Sequence, residues 1–231
     1  MIIIGNKPYI HLPLDAIVDS FDINYRCNLG LPNKNNGTKY DNLGLCNHLY
    51  ENLISKNADR DNFFRIYDTF YKKEYMNSYL NSFEKIKTKY KNIFHANFRT
   101  SVYNNFLQKN GCPYKFSKLP RTGYVIIFEN LLKQSKVFVT HFSIKFEERV
   151  SYYVEKGQYE SECHLAKDEI NILQWLHTQK FIDATMCFLQ DAPLPILECN
   201  GLVPSDLIIK KLIQEFGEVK YYEKNNQNST N

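Results

Sequence analysis

At 231 residues, with 43% hydrophobic and 23% charged residues, the chain is large and apolar enough to bury a core, which excludes a wholly disordered protein. The apolar run of MIIIGNKPYI stops at Ile4 and no window reaches about 18 apolar residues, so neither a secretory leader nor a membrane span is expected. Six scattered cysteines without a C-x-x-C pair fit free thiols in a reducing compartment, and a soluble cytoplasmic protein is the expectation.

In chain order, Ile2–Ile4 and Tyr9–Leu12 predict short strands around the Gly5-Asn6-Lys7-Pro8 turn. Leu14, Ile17, Val18 and Phe21 have helical spacing. Asn28 to Gly44 is rich in Gly, Asn and Lys and predicts a surface loop. Leu45, Leu49, Leu53 and Ile54 mark a helix. From Phe63 to Phe94 apolar positions recur at three- and four-residue steps without Pro or Gly, which predicts one long helix, or two with a bend, over about 62–94. A further helical segment runs from Phe98 to Leu107 and stops at Asn110-Gly111, before the basic loop 111–123.

The period then changes. YVIIFEN, KVFVTHFSIKF and RVSYYVEK read as strands. Lys167-Asp168-Glu169 and Pro204-Ser205-Asp206 open two helices, Gly217 closes the second, and EVKYYE is a last strand before the polar tail KNNQNSTN. The resulting expectation is an α+β fold: a helix-rich N-terminal half packed with a C-terminal mixed or antiparallel sheet and two helices. A single domain over 1–231 is expected, with a sub-boundary near 111–122 separating a helical basic part, 1–110, from a strand-rich part, 123–231.

Charge is uneven. Residues 63–121 carry twelve Lys/Arg against three acids, whereas 122–231 carry eleven against fifteen. The same central segment holds fifteen aromatic residues. Lysines in a merely solvated helix are ordinarily mixed with Glu, which avoids self-repulsion; Lys85, Lys87, Lys89 and Lys91 have only Glu84 nearby. Arg99, Lys109, Lys115, Lys118 and Arg121 extend the charge into the loop. Mobile cations with interleaved aromatics suit phosphates and unpaired bases. The expectation is therefore a non-enzymatic factor bound to RNA or to a ribonucleoprotein particle such as the ribosome, for instance a dormancy factor, with no cofactor and no metal.

Two alternatives accompany it. His141-Phe142-Ser143 has the H-x-S form of two-histidine phosphoesterases but lacks the second copy, so His141 is the catalytic candidate only if the chain is a divergent parasite or viral enzyme acting on nucleotides or nucleic acid. A host protein-interaction module is the other. Cys163-His164, Cys187 and Cys199, or Cys46 and His48, lack the close ligand pairs of zinc sites and read as buried thiols and ordinary histidines. The acids Glu147, Glu148, Glu155, Glu160 and Glu162 read as a solvated strand edge. The common nucleotide-binding and hydrolase signatures are absent, including G-x-G-x-x-G, the P-loop, G-x-S-x-G and H-E-x-x-H.

Overall fold

Ile2, Ile3 and Ile4 are each buried, with no alternation between faces. A strand buried on both faces belongs in a sheet covered by helices on both sides, the usual setting of parallel strands. The computed structural model has that architecture. It describes residues 1–7, 11–28, 32–54, 84, 87–144 and 164–222.

Strands β1 (Ile2–Ile4), β2 (Asn24–Cys27), β3 (Asn42–Leu45), β4 (Asn92–His95), β5 (Val137–Thr140) and β6 (Ile182–Asp183) form one sheet in the order β4-β3-β2-β1-β5-β6. Every ladder in it is parallel. The chain builds outward from β1 to β4, then returns to the other side of β1 for β5 and β6. That reversal creates a topological switch point between β1 and β5. Helices α1 (Asp15–Asp19), α2 (Asn47–Leu53), α3 (Thr100–Lys109), α4 (Thr122–Leu131) and α5 (Ala166–Thr178) accompany the sheet. A second, two-stranded parallel sheet joins β7 (Ile196–Glu198) to β8 (Lys220–Tyr222) across α6 (Asp206–Phe216). Ser205 caps α6 by accepting from the Ile208 amide, and Gly217 ends it at φ 79°.

The fold is therefore α/β, which corrects the expected α+β arrangement with a mixed or antiparallel C-terminal sheet. The described part of the N-terminal half is not helix-rich: it supplies four of the six strands. The long helix over 62–94 does not reach 94, because Lys87–Lys89 is a single 3-10 turn and Asn92–His95 pairs with β3. Residues 55–83, 85 and 86 lie outside the described residues. Within the expected loop, Asn42–Gly44 belongs to β3. YVIIFEN is not a strand but most of α4. Its β-branched and aromatic residues are present because nearly the whole helix is buried against β1, β2, β3 and β5, where burial overrides propensity. RVSYYVEK, Tyr9, Ile10 and the tail KNNQNSTN fall outside the described residues.

Parallel strands need a crossover, ordinarily a helix. Between β2 and β3 a buried arginine holds the crossover instead. Arg26, 1% exposed, donates from Nε to the Lys39 carbonyl (3.3 Å), from Nη1 to Asn36 Oδ1 (2.9 Å) and from Nη2 to the carbonyls of Asn36 and Gly37 (2.8 Å each). Asp19, at the end of α1, accepts from the Thr38 amide and hydroxyl (2.8 and 2.7 Å) and ties the same loop to the first helix. The end of β2 is thereby fixed in position at the sheet's carboxyl edge.

Candidate functional site at the switch point

In an open parallel sheet, ligands bind outside the carboxyl ends of the strands where the strand order reverses. Here that place is formed by the residues after β1, β2 and β5 and by the starts of α4 and α5. Each of these helices leads directly into the next strand, α4 into β5 and α5 into β6, so both run opposite to the strands and begin at the carboxyl edge.

Close backbone approaches define the floor. The Gly5 amide donates to the Thr140 carbonyl (2.8 Å) and the Lys7 amide to the His141 carbonyl (2.9 Å), which zips the β1 loop onto the end of β5. A Cβ on Gly5 would sit 2.2 Å from the His141 carbonyl oxygen, so no other residue fits there. A Cβ on Gly123 would meet the Phe142 ring at 2.7 Å, because the first turn of α4 is pressed against the β5 loop. Asn6 Nδ2 donates to Cys27 Sγ (3.3 Å), joining the ends of β1 and β2. Asn28, at φ 50°, uses Oδ1 to accept from the Cys46 amide (3.0 Å), which fixes the side chain.

No side chain caps the start of α4. The first-turn amides of Thr122 and Gly123 therefore lie at a helix N-terminus with its partial positive charge, a geometry suited to phosphate. Arg121 just before them forms an ion pair with Glu169, on the first turn of α5, and its amide donates to the same carboxylate at 2.6 Å. Burial raises the Glu169 carboxyl above its ordinary range, against the pull of Arg121. Asp168 accepts from the Ser117 amide (2.8 Å). The two helix starts are thus locked together.

His164 stands two residues before α5. Its Nδ1 lies 2.6 Å from the Leu119 carbonyl oxygen, in the loop that leads into α4. A carbonyl can only accept, so Nδ1 carries the proton and Nε2 keeps the lone pair. Burial lowers the imidazole pKa, and Arg121 and Lys118 lower it further, while the Leu119 hydrogen bond opposes them. The ring is therefore a neutral base at pH 7 with its tautomer set by the backbone.

The histidine singled out from sequence, His141, lies elsewhere. It is 1% exposed, sits at φ 60° and has Nδ1 2.9 Å from Thr140 Oγ1. Burial, with Arg26 and Lys7 adding to it, holds its pKa well below the ordinary value. It forms part of the floor. Cys27, at the end of β2, is a buried thiol pushed up to about 12, too weakly acidic to act as a nucleophile. Among the described residues no cluster of three potential metal ligands occurs.

The nine cations expected to meet RNA are spread over several elements. Lys85 lies outside the described residues. Lys87 pairs with Glu84, Lys89 lies 5.7 Å over the Tyr40 ring, and Lys91 pairs with Asp41 beside the amino end of β4. Arg99 makes a two-oxygen contact with Glu129 (2.6 Å to each oxygen). Lys109 ends α3, Lys115 and Lys118 are exposed, and Arg121 lies at the carboxyl edge. Sequence reasoning missed Asn6, Asn28, Thr122 and His164 as a group. Their only shared property is position, each just after a strand or at a helix start, and that becomes visible only once β2 and α4 are identified.

No protein-family model matches the chain, and no curated protein matches it. Among the described residues no helix is long and apolar enough to cross a membrane.

Proposed function

We propose that the chain is a group-transfer enzyme that uses a nucleotide-activated donor, most simply a nucleotide sugar, and delivers the group to an acceptor hydroxyl. The observation that carries this reading is the His164–Leu119 hydrogen bond, which presents a neutral imidazole with a fixed Nε2 lone pair at the edge where a switch-point sheet takes nucleotides. In the proposed reaction Nε2 takes the acceptor's proton as its oxygen bonds to the donor carbon. The bond from that carbon to the nucleotide phosphate breaks, and the phosphate leaves with the electron pair. The Thr122 and Gly123 amides stabilise the charge that develops on it, and Asn6 and Asn28 position the nucleotide.

Two neighbouring chemistries fit less well. Dinucleotide redox sites place the pyrophosphate on the helix that directly follows β1. Here α1 has five residues and begins ten residues after Gly5, so the helix offered to phosphate is α4. Kinase-type transfer places carboxylates around magnesium; Glu169 and Asp168, at the start of α5, are engaged by Arg121 and Ser117.

The test is incubation of the protein with cytidine, uridine, guanosine and adenosine nucleotide sugars, following nucleotide release with and without hydroxyl acceptors. Release from one donor is expected, and no release from any of them would overturn the reading. RNA docking by the central cations is a second reading, supported by the exposed Lys115 and Lys118. Binding to single-stranded RNA that weakens steeply with salt would favour it.

A further inference from the structure

The loop between α3 and α4 is anchored at Phe116, Ser117, Leu119 and Arg121. Asn104 on α3 clamps Phe116, accepting from its amide (2.8 Å) and donating to its carbonyl (2.9 Å), and the Phe116 ring is buried against Tyr124 and Phe128. The Ser117 amide and hydroxyl both donate to Asp168 (2.8 and 2.5 Å). The Leu119 carbonyl accepts from His164, and the Arg121 amide donates to Glu169. Lys118 lies among these anchors and is exposed.

After burial, the lowering of the His164 pKa comes from two cations, Arg121 and Lys118. Arg121 is balanced by Glu169. Lys118 has no ion pair and no side-chain hydrogen bond to a described residue. When Nε2 takes the acceptor's proton, a second positive charge therefore forms near the Lys118 ammonium. An acceptor with an anionic group of its own offsets both charges, whereas a neutral acceptor leaves them opposed. Lys115 is exposed on the same loop but has no such effect on His164.

We propose that Lys118 is a specificity-determining residue, binding an anionic group, a carboxylate or a phosphate, on a hydroxyl acceptor of the acidic carbohydrate class. The inference rests on the transfer reading with His164 as its base.

The experiment measures acceptor kinetics on the full chain with the sugar donor that releases nucleotide. The acceptors are methyl glucoside, its phosphate monoester and the corresponding glucuronoside, with the same three galactose compounds. At least one acidic member should have a KM about fivefold below that of its neutral parent, the size an exposed ion pair supplies. Whether the phosphate or the uronoside holds the advantage identifies the anion. Lys118→Gln should remove the advantage, while Lys118→Arg and Lys115→Gln should keep it. Lys118→Gln should also move the acidic limb of kcat/KM to higher pH, since one cation that opposes the imidazolium is gone. An advantage that survives Lys118→Gln would overturn the proposal. So would equal losses in Lys115→Gln and Lys118→Gln, the mark of a diffuse cationic surface such as one that meets RNA. Nucleotide release into water with no preference for acidic acceptors overturns this inference alone; no release from any donor overturns the transfer reading and this inference with it.

Discussion

The two sides of the sheet solve the crossover problem differently. On the β2–β3 side, a loop replaces the usual helix and a buried guanidinium gathers its carbonyls. On the β5–β6 side, true helices return the chain and deliver their N-termini to the carboxyl edge. A loop closed around a charged group gives a frame, since the buried guanidinium gathers three of its carbonyls. Helices entering at the carboxyl edge bring uncapped amides and a positioned imidazole. The contrast assigns structure to one side and chemistry to the other, and substitutions should separate them.

The largest expected effect is on catalysis. His164→Ala should lower turnover by about 10²–10⁴-fold while leaving nucleotide affinity and thermal stability nearly unchanged. Loss of nucleotide binding in that variant would make His164 a packing residue and erase the contrast. Next in size is Arg26→Ala, which removes the guanidinium donors from the carbonyls of Asn36, Gly37 and Lys39, while the Asn33 amide still reaches Gly37. It should destabilise the protein by about 3 kcal/mol or more, read as a shift in the urea midpoint. A change within about 0.5 kcal/mol would mean that the loop holds itself.

The pH dependence sharpens the same comparison. His164 has a folded pKa below the ordinary 6.5, so the base is competent above that lowered value and lost below it. The acidic limb of kcat/KM should fall below pH 6.5, and a limb above 6.5 would rule out His164 as the base. His141 is depressed further and only affects stability. The unfolded chain binds its proton as pH falls through 6.5 while the folded chain does not. Stability contributed by the neutral ring is therefore full above 6.5 and declines below it.

The smallest effect belongs to the basic segment. Lys91 pairs with Asp41 through a side chain that is 74% exposed, and Lys91→Ala should cost less than about 1 kcal/mol in a denaturant titration. Asp41 is pulled up by desolvation, but its hydrogen bonds from Lys91 and the Asn24 amide win and hold it below the ordinary carboxylate range.

What could be read from the sequence follows from these contrasts. Ile2–Ile4, the start of α5, the α6 cap and the closing Gly217 are local signals and were legible. The strands Asn24–Cys27 and Asn42–Leu45 were not, because NYRC and NLGL are only four residues long, hold no β-branched residue and include Asn or Gly, which strands disfavour. Arg26 faces a loop that supplies its hydrogen bonds, and no neighbouring residue announces it. α4 misled for the opposite reason: a helix buried over nearly its whole surface has no polar stripe and, in ten residues, looks like a strand. The cations were visible as composition, but their partners Asp41, Glu129 and Glu169 come from distant parts of the chain. His164 had no local signature, since its fixed tautomer depends on a carbonyl 45 residues away in sequence.

The most direct test of the proposed transfer is hydrogen exchange of the full chain with and without the nucleotide of the proposed sugar donor. Protection is expected at Gly5–Asn6, Cys27–Asn28 and Thr122–Gly123 together, that is, at the loop after β1, the end of β2 and the start of α4, with little change in the crossover around Asn36. Protection confined to residues 109–118, or none at all at the carboxyl edge, would contradict it.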